Sequence, residues 1–144
     1  MNILTKIAKD IIKMVLKLVN ATELRRGSYI LIDNLPCEVK KIDISKTGKH
    51  GHAKVRIEAI GVIDEKKRVI VKPGHEKFAV PLIEKKKGQI LTVNDKTSIA
   101  SIMDIESYET IDAIIPSELH GKLKEGAQVE YWDIEGQRIV KRAL

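Results

Sequence analysis

The part of the chain best suited to chemistry is a short cationic segment between two apolar-patterned stretches. It runs from Lys46 to His52 and contains a lysine, Lys49, bracketed by Gly48 and Gly51. Glycine tolerates a positive φ, so the backbone can turn tightly on either side of the lysine. Because no large apolar side chain lies within the segment, nothing draws its tip inward. The sequence therefore predicts an exposed lysine at the apex of a cationic β-hairpin loop.

Two kinds of site that this loop could form are disfavoured by its composition. A phosphate-binding loop would need a glycine where Asp43 stands and a hydroxyl side chain where His50 stands. A tetrahedral metal site would need more ligands than His50 and His52, and no cysteine lies near them. Neither a Ser-His-Asp pattern nor a catalytic carboxylate pair stands out. We therefore expect no metal, no bound cofactor, no small-molecule substrate and no enzymatic activity.

The strands that must hold the loop show a break in their alternating pattern. Cys37 and Val39 share one phase, whereas Ile42 and Ile44 take the other, which predicts a β-bulge near residues 40–41. After the loop, a similar switch around Gly61 predicts a second irregularity. Two long, bent strands are typical of a small barrel. Cys37, the one cysteine, is expected to be a buried apolar residue, in agreement with a reducing cytosol.

The chain as a whole is predicted to be all-β, with two small barrels. Residues 1–15 form an N-terminal extension, helical or disordered, with a basic amphipathic pattern. Residues 16–82 form the barrel that carries the loop. Residues 83–144 show three strands, a short helical turn at 116–121 and two more strands, which is the order of an OB-fold.

The charge is unevenly distributed along the chain. Residues 1–20 carry a net charge of +3, residues 21–81 one of +5, and residues 82–144 one of −2. A basic first half is typical of a protein that faces a polyanion, although a solvated lysine-rich surface would give the same count. The second half offers three aromatic residues, Tyr108, Tyr131 and Trp132, and one of the adjacent pair is expected to serve the core.

The run from Lys46 to Lys54 resembles the modification loop of the translation initiation factor 5A family, which is related to bacterial elongation factor P. The resemblance extends over residues 17–144, through segments such as Gly27–Tyr29 and Tyr108–Thr110. It implies an SH3-like barrel followed by an OB-fold with one short helix. It also implies that deoxyhypusine synthase transfers the aminobutyl group of spermidine to Lys49, giving hypusine or its deoxy form.

The resemblance implies a cytoplasmic, ribosome-binding translation factor with no membrane partner. Its modified Lys49 would contact rRNA and peptidyl-tRNA and promote peptide-bond formation at stalled sites, such as polyproline. An unmodified RNA-binding or RNA-chaperone module is the alternative, and a scaffold that uses the N-terminal extension is a third. The residues expected in the modification loop and its RNA contacts are Ser45, Lys46, Thr47, Gly48, His50, Gly51, His52, Lys54 and Arg56.

Overall fold

The computed structural model describes residues 2–8, 17–46 and 53–144. The chain divides into two compact units, Met1–Pro81 and Leu82–Leu144. Of the N-terminal extension, residues 3–8 are helical, and the Asn2 side chain caps this helix by accepting hydrogen bonds from the backbone N–H and the hydroxyl of Thr5. No helix in the described part of the chain is long and apolar enough to span a membrane.

The described residues of the first unit form six strands around one apolar core. They are β1 (Leu18–Asn20), β2 (Tyr29–Ile32), β3 (Leu35–Lys46), β4 (Ala53–Gly61), β5 (Lys67–Pro73) and β6 (Lys77–Ala79). Strands β2, β3, β4 and β5 form one antiparallel sheet in that order, and β1 pairs with β6. Buried side chains from both sheets, including Ile30, Val55 and Phe78, share the core. This is the small SH3-like barrel that the sequence predicts.

A bulge in β3 confirms the first predicted break in strand phase. The pairing of β3 with β4 shifts register between Val39 and Lys41. The second predicted irregularity, around Gly61, is wrong: β4 pairs with β5 without a shift, and Gly61 is its last residue. The Asp64 and Arg68 side chains, which form an ion pair, pack against this glycine, and a β-carbon there would lie 1.8 Å from Asp64 Oδ1.

The second unit is a closed five-stranded barrel. Its strands are β7 (Ile83–Asn94), β8 (Ile99–Asp104), β9 (Thr110–Ile114), β10 (Gln128–Ile134) and β11 (Gln137–Ala143), with a 3₁₀ turn at Ser117–Leu119. A parallel contact between Ile114 and Ile139 joins β9 to β11 and closes the ring. The OB-fold order is confirmed, but the first strand, which the sequence predicts at residues 89–93, begins at Ile83, because the lysine run at 85–87 pairs with β10.

A buried carboxylate organises the turn between β8 and β9. The backbone N–H groups of Glu106 and Ser107 donate to Asp104 Oδ1, and the Tyr131 hydroxyl donates to Asp104 Oδ2. The Tyr131 hydrogen bond and the Ser107 N–H lower the pKa of Asp104 to about 2. Both Tyr131 and Trp132 are buried, whereas Tyr108 is exposed. No local pattern in the sequence indicates that Asp104 has a partner on β10.

Candidate nucleic-acid interface

The hairpin formed by β3 and β4 holds the two ends of the predicted modification loop. Its last paired residues are Lys46 and Ala53. The tip itself, with Thr47, Gly48, Lys49, His50, Gly51 and His52, lies outside the described residues. Of the predicted loop and RNA-contact residues, the structure places Ser45, Lys46, Lys54 and Arg56 together at the distal end of the hairpin.

The bulge in β3 determines which side chains of the hairpin face the core. Beyond it, Ile42 pairs with Ile57, which is fully buried. Cross-strand partners face the same side of a sheet, so the next pair along, Asp43 with Arg56, lies on the outer face. Without the one-residue shift, the apolar residues of distal β3 would point outward. The bulge therefore turns Ile42 towards the core and Asp43 towards the outer face, whereas Ile44, nearer the loop, is exposed.

Arg56 is held in a chain of ion pairs on the outer face. Its guanidinium lies 3.9 Å from an Asp43 carboxylate oxygen and 3.3 Å from one of Glu58. Lys41 and Lys67 extend the chain at its two ends. Partial burial of Glu58 is outweighed by the charges of Lys67 and Arg56, which hold its pKa below the ordinary value. The positive charge of Arg56 is thus shared between two carboxylates before any ligand arrives.

Lys46 and Lys54, at the two ends of the loop, share their charges with fewer carboxylates than Arg56 does. Both are exposed, and no ion pair within 4.0 Å joins either of them to a carboxylate in the described part of the chain. Lys54 pairs with Ser45, the residue before Lys46. Paired residues face the same side of a sheet and neighbouring residues of a strand face opposite sides, so Lys46 and Lys54 point to opposite faces of the hairpin. Cations therefore flank the loop on both faces, which suits contact with a phosphate backbone.

A tight turn at residues 73–76 supports the base of the loop. The Gly74 N–H donates to the Ala53 carbonyl at 2.8 Å, at the point where β4 begins. On its other side, the Ala21 N–H donates to the Glu76 carbonyl at 2.9 Å. A β-carbon on Gly74 would lie only 2.8 Å from Thr22 Cγ2. The glycine therefore lets residues 21–22 pack against the turn that holds the end of the hairpin.

His50 and His52, the candidate metal ligands of the loop, lie outside the described residues. No group of three or more metal-ligating side chains occurs in residues 2–8, 17–46 and 53–144. Cys37 is fully buried, and burial raises the pKa of its thiol, which confirms its prediction as an apolar core residue.

Comparison with known proteins places these features in a family. Residues 17–76 match the family described as translation initiation factor 5A-like, N-terminal. Translation initiation factor 5A of Archaeoglobus fulgidus is 44% identical over 124 residues, covering 86% of this chain and 95% of the relative. That of Thermococcus sibiricus is 46% identical over 128 residues, covering 85% and 91%. A solved structure, eukaryotic translation initiation factor 5A from Methanococcus jannaschii, superposes with a TM-score of 0.79 at 40% identity, covering 89% of this chain and 94% of that one.

Proposed function

The chain belongs to the translation initiation factor 5A family, and from this membership we propose that it acts on the ribosome as a non-enzymatic translation factor through a modified Lys49. The observation that carries the proposal is the hairpin in the unit that matches the family, which holds both ends of the loop containing Lys49. In this proposal, deoxyhypusine synthase extends the lysine with the aminobutyl group of spermidine. The extended side chain then contacts the acceptor end of peptidyl-tRNA.

The hairpin is suited to presenting such a side chain at a fixed point. Val55 and Ile57 anchor β4 in the core, and Val55 is two residues from the end of the strand at Ala53. The neighbouring turn holds the same end through the Gly74 hydrogen bond. A rigid base reduces the conformational freedom that must be lost when the loop meets its partner. Flexibility then belongs to the long modified side chain rather than to the strands that carry it.

The assistance proposed is the ordering of a reactant. Peptide-bond formation requires the peptidyl-tRNA end to meet the incoming amine in a near-attack geometry. A polyamine side chain that binds the phosphates of that end would limit its motion and lower the entropic part of the barrier. Slow substrates such as polyproline would gain most from this ordering. Lys46 and Lys54 would hold the flanking backbone by charge without reading sequence.

Mass spectrometry of the protein purified from its native cells tests the modification directly. We expect the peptide containing Lys49 to carry the added mass of hypusine or deoxyhypusine, and the peptides with Lys46 and Lys54 to be unmodified. An unmodified Lys49 in native protein would favour the alternative of an RNA-binding or RNA-chaperone module. The added mass on a neighbouring lysine would place the functional group elsewhere in the loop.

A further inference from the structure

The net negative charge of the second unit hides a strong separation of charges around its barrel. Residues 97–121, which include β8, β9 and the 3₁₀ turn, contain four exposed acidic residues besides the buried Asp104, and no lysine or arginine. An OB-fold usually binds oligonucleotides on its second and third strands, which here are β8 and β9. An acidic surface repels a phosphate backbone, so the usual binding face of this fold is unsuited to nucleic acid.

Four of the nine cations of the second unit lie instead on the outer face of β7, β10 and β11. Lys87 is paired with Glu130 and Lys85 with Trp132, and paired residues face the same side of the sheet. Across the other edge of β10, Glu130 pairs with Arg142. Four cations, Lys85, Lys87, Lys141 and Arg142, surround a single carboxylate and an indole ring on this face.

A bulge in β11 is what brings two neighbouring cations to the same face. The pairing of β10 with β11 shifts register between Glu130 and Tyr131, so Lys141 has no direct partner. In a regular strand, Lys141 and Arg142 would point to opposite faces. Here the Lys141 ammonium lies 4.5 Å from the centre of the Trp132 ring, and Arg142 Nε lies 2.5 Å from a Glu130 oxygen. A bulge that re-aims a side chain in this way concentrates charge.

The indole ring keeps these lysines in place. Lys85 lies 4.9 Å from the ring centre of Trp132, whose Nε1–H donates to Glu130 at 3.0 Å. Trp132 is only 8% exposed, so its ring is not offered to a base for stacking. Lys85, Lys87 and Arg142 are exposed, and the Arg142 side chain is 70% accessible despite its ion pair. The face therefore presents an ordered group of positive charges and no exposed apolar side chain among its six contributors.

We propose that the outer face of β7, β10 and β11 is a second RNA-binding surface, which contacts the phosphate backbone through Lys85, Lys87, Lys141 and Arg142. The ordered cations favour a polyanion, and the covered Trp132 ring disfavours both base stacking and insertion into a lipid surface. Binding through this face is sequence-independent. It does not depend on modification of Lys49, so the surface goes beyond the function proposed above.

The test measures the salt dependence of RNA binding by full-length protein in a Lys49→Arg background, in which hypusine cannot form. The probe is a labelled single-stranded RNA of mixed sequence and about 20 nucleotides, longer than the roughly 4–16 that one OB-fold covers. Lys85→Gln with Lys87→Gln removes two cations from the proposed face. Lys96→Gln with Lys122→Gln, also exposed and in the same unit, removes two cations elsewhere. Circular dichroism confirms that all variants remain folded.

We expect the first pair to lower the slope of log K against log salt by about 1.4, since each single-strand phosphate contact contributes about 0.7. The control pair should leave the slope unchanged. Equal effects of the two pairs, or none from the first, would overturn the proposal. So would binding to vesicles of anionic phospholipid in the absence of binding to RNA.

Trp132 supplies a second readout because it is the one tryptophan of the chain. Phosphates that engage Lys85 and Lys141 should shift these cations relative to the ring and change its emission. The change should be present in the Lys49→Arg parent and reduced by Lys85→Gln with Lys87→Gln. Saturation with RNA and an unchanged emission spectrum would contradict contact at this face. A failure of the Lys49 proposal would leave both results unaffected, since Lys49 is replaced throughout.

Discussion

Replacing Gly74 with alanine should loosen the base of the hairpin. The new β-carbon would lie 2.8 Å from Thr22 Cγ2 and 3.2 Å from Ala53 Cβ, whereas ordinary van der Waals contact begins at 3.4 Å. Overpacking of this kind costs about 1–3 kcal/mol. Alanine also restricts the unfolded chain, which returns about 0.4–1 kcal/mol. We expect a net loss of about 1–2 kcal/mol in the free energy of unfolding of the first unit.

Hydrogen exchange at residue 74 measures this loss where it arises. The residue 74 N–H donates to the Ala53 carbonyl, so its exchange reports opening of the hairpin base. A loss of 1–2 kcal/mol corresponds to exchange faster by a factor of about 5–30. The fraction of Lys49 modified by purified deoxyhypusine synthase, measured on the same samples, should fall as the residue 74 N–H loses its protection against exchange.

Thr22→Ser supplies the control, because it removes the methyl group that the new β-carbon would strike. Alone, it should change protection little. Combined with Gly74→Ala, it should restore most of the lost protection, with the 3.2 Å approach to Ala53 remaining. Unchanged exchange in Gly74→Ala would refute the reasoning that this turn supports the loop. If the residue 74 N–H exchanges as fast in the double variant as in Gly74→Ala alone, the strain lies somewhere other than at Thr22.

Three further predictions concern the loop, its flanking cations and the buried carboxylate. Lys49→Arg should abolish rescue in a reconstituted polyproline translation assay and change the free energy of unfolding by no more than the roughly 0.5 kcal/mol typical of surface changes. Full activity of the variant would show that modification is dispensable. Lys54→Gln should lower the slope of log K against log salt for ribosome binding by roughly 0.7–0.9. Arg56→Gln should lower it by less, because two carboxylates already share the Arg56 charge, and a larger effect of Arg56→Gln than of Lys54→Gln would contradict this. Asp104 has a pKa of about 2 in the folded protein, below its ordinary value of 3.8. Its carboxylate therefore stabilises the fold above about pH 4, by an amount on the order of 2 kcal/mol. This stabilisation is lost as the pH falls towards 2. Urea titrations of wild type and Tyr131→Phe across this range should show a smaller pH dependence in the variant, and identical profiles would remove the hydrogen bond as the cause.

Local patterns in the sequence were sufficient to predict the strands that carry the site. The phase change between Val39 and Ile42 predicts the bulge correctly, because a buried face forces apolar residues to alternate. The same rule fails at Gly61, because a phase change at the end of a strand looks identical to one in its middle. The lysine run at 85–87 obscured the start of β7, since its charged side chains carry no apolar alternation.

Contacts that depend on register could not be predicted from local patterns. Arg56 meets Asp43 only because the bulge shifts β3 by one residue. Asp104 meets Tyr131 across 27 residues of sequence, and the pairing of β8 and β10 with the two edges of β7 brings them together. The position of the cations of the second unit is of the same kind. A net charge for residues 82–144 averages over a barrel whose opposite sides differ in sign.

The different ways in which the two units complete their sheets have a consequence for self-association. The closed ring of the second unit leaves no strand edge available for pairing with another molecule. In the first unit, within the described residues, β5 pairs only with β4 and carries two exposed valines, Val69 and Val71. Lys67 and Lys72 near its ends, and Pro73 as its last residue, oppose growth of the sheet by charge and by the missing N–H. Aggregation at high concentration should therefore begin at β5, and salt that screens these lysines should accelerate it.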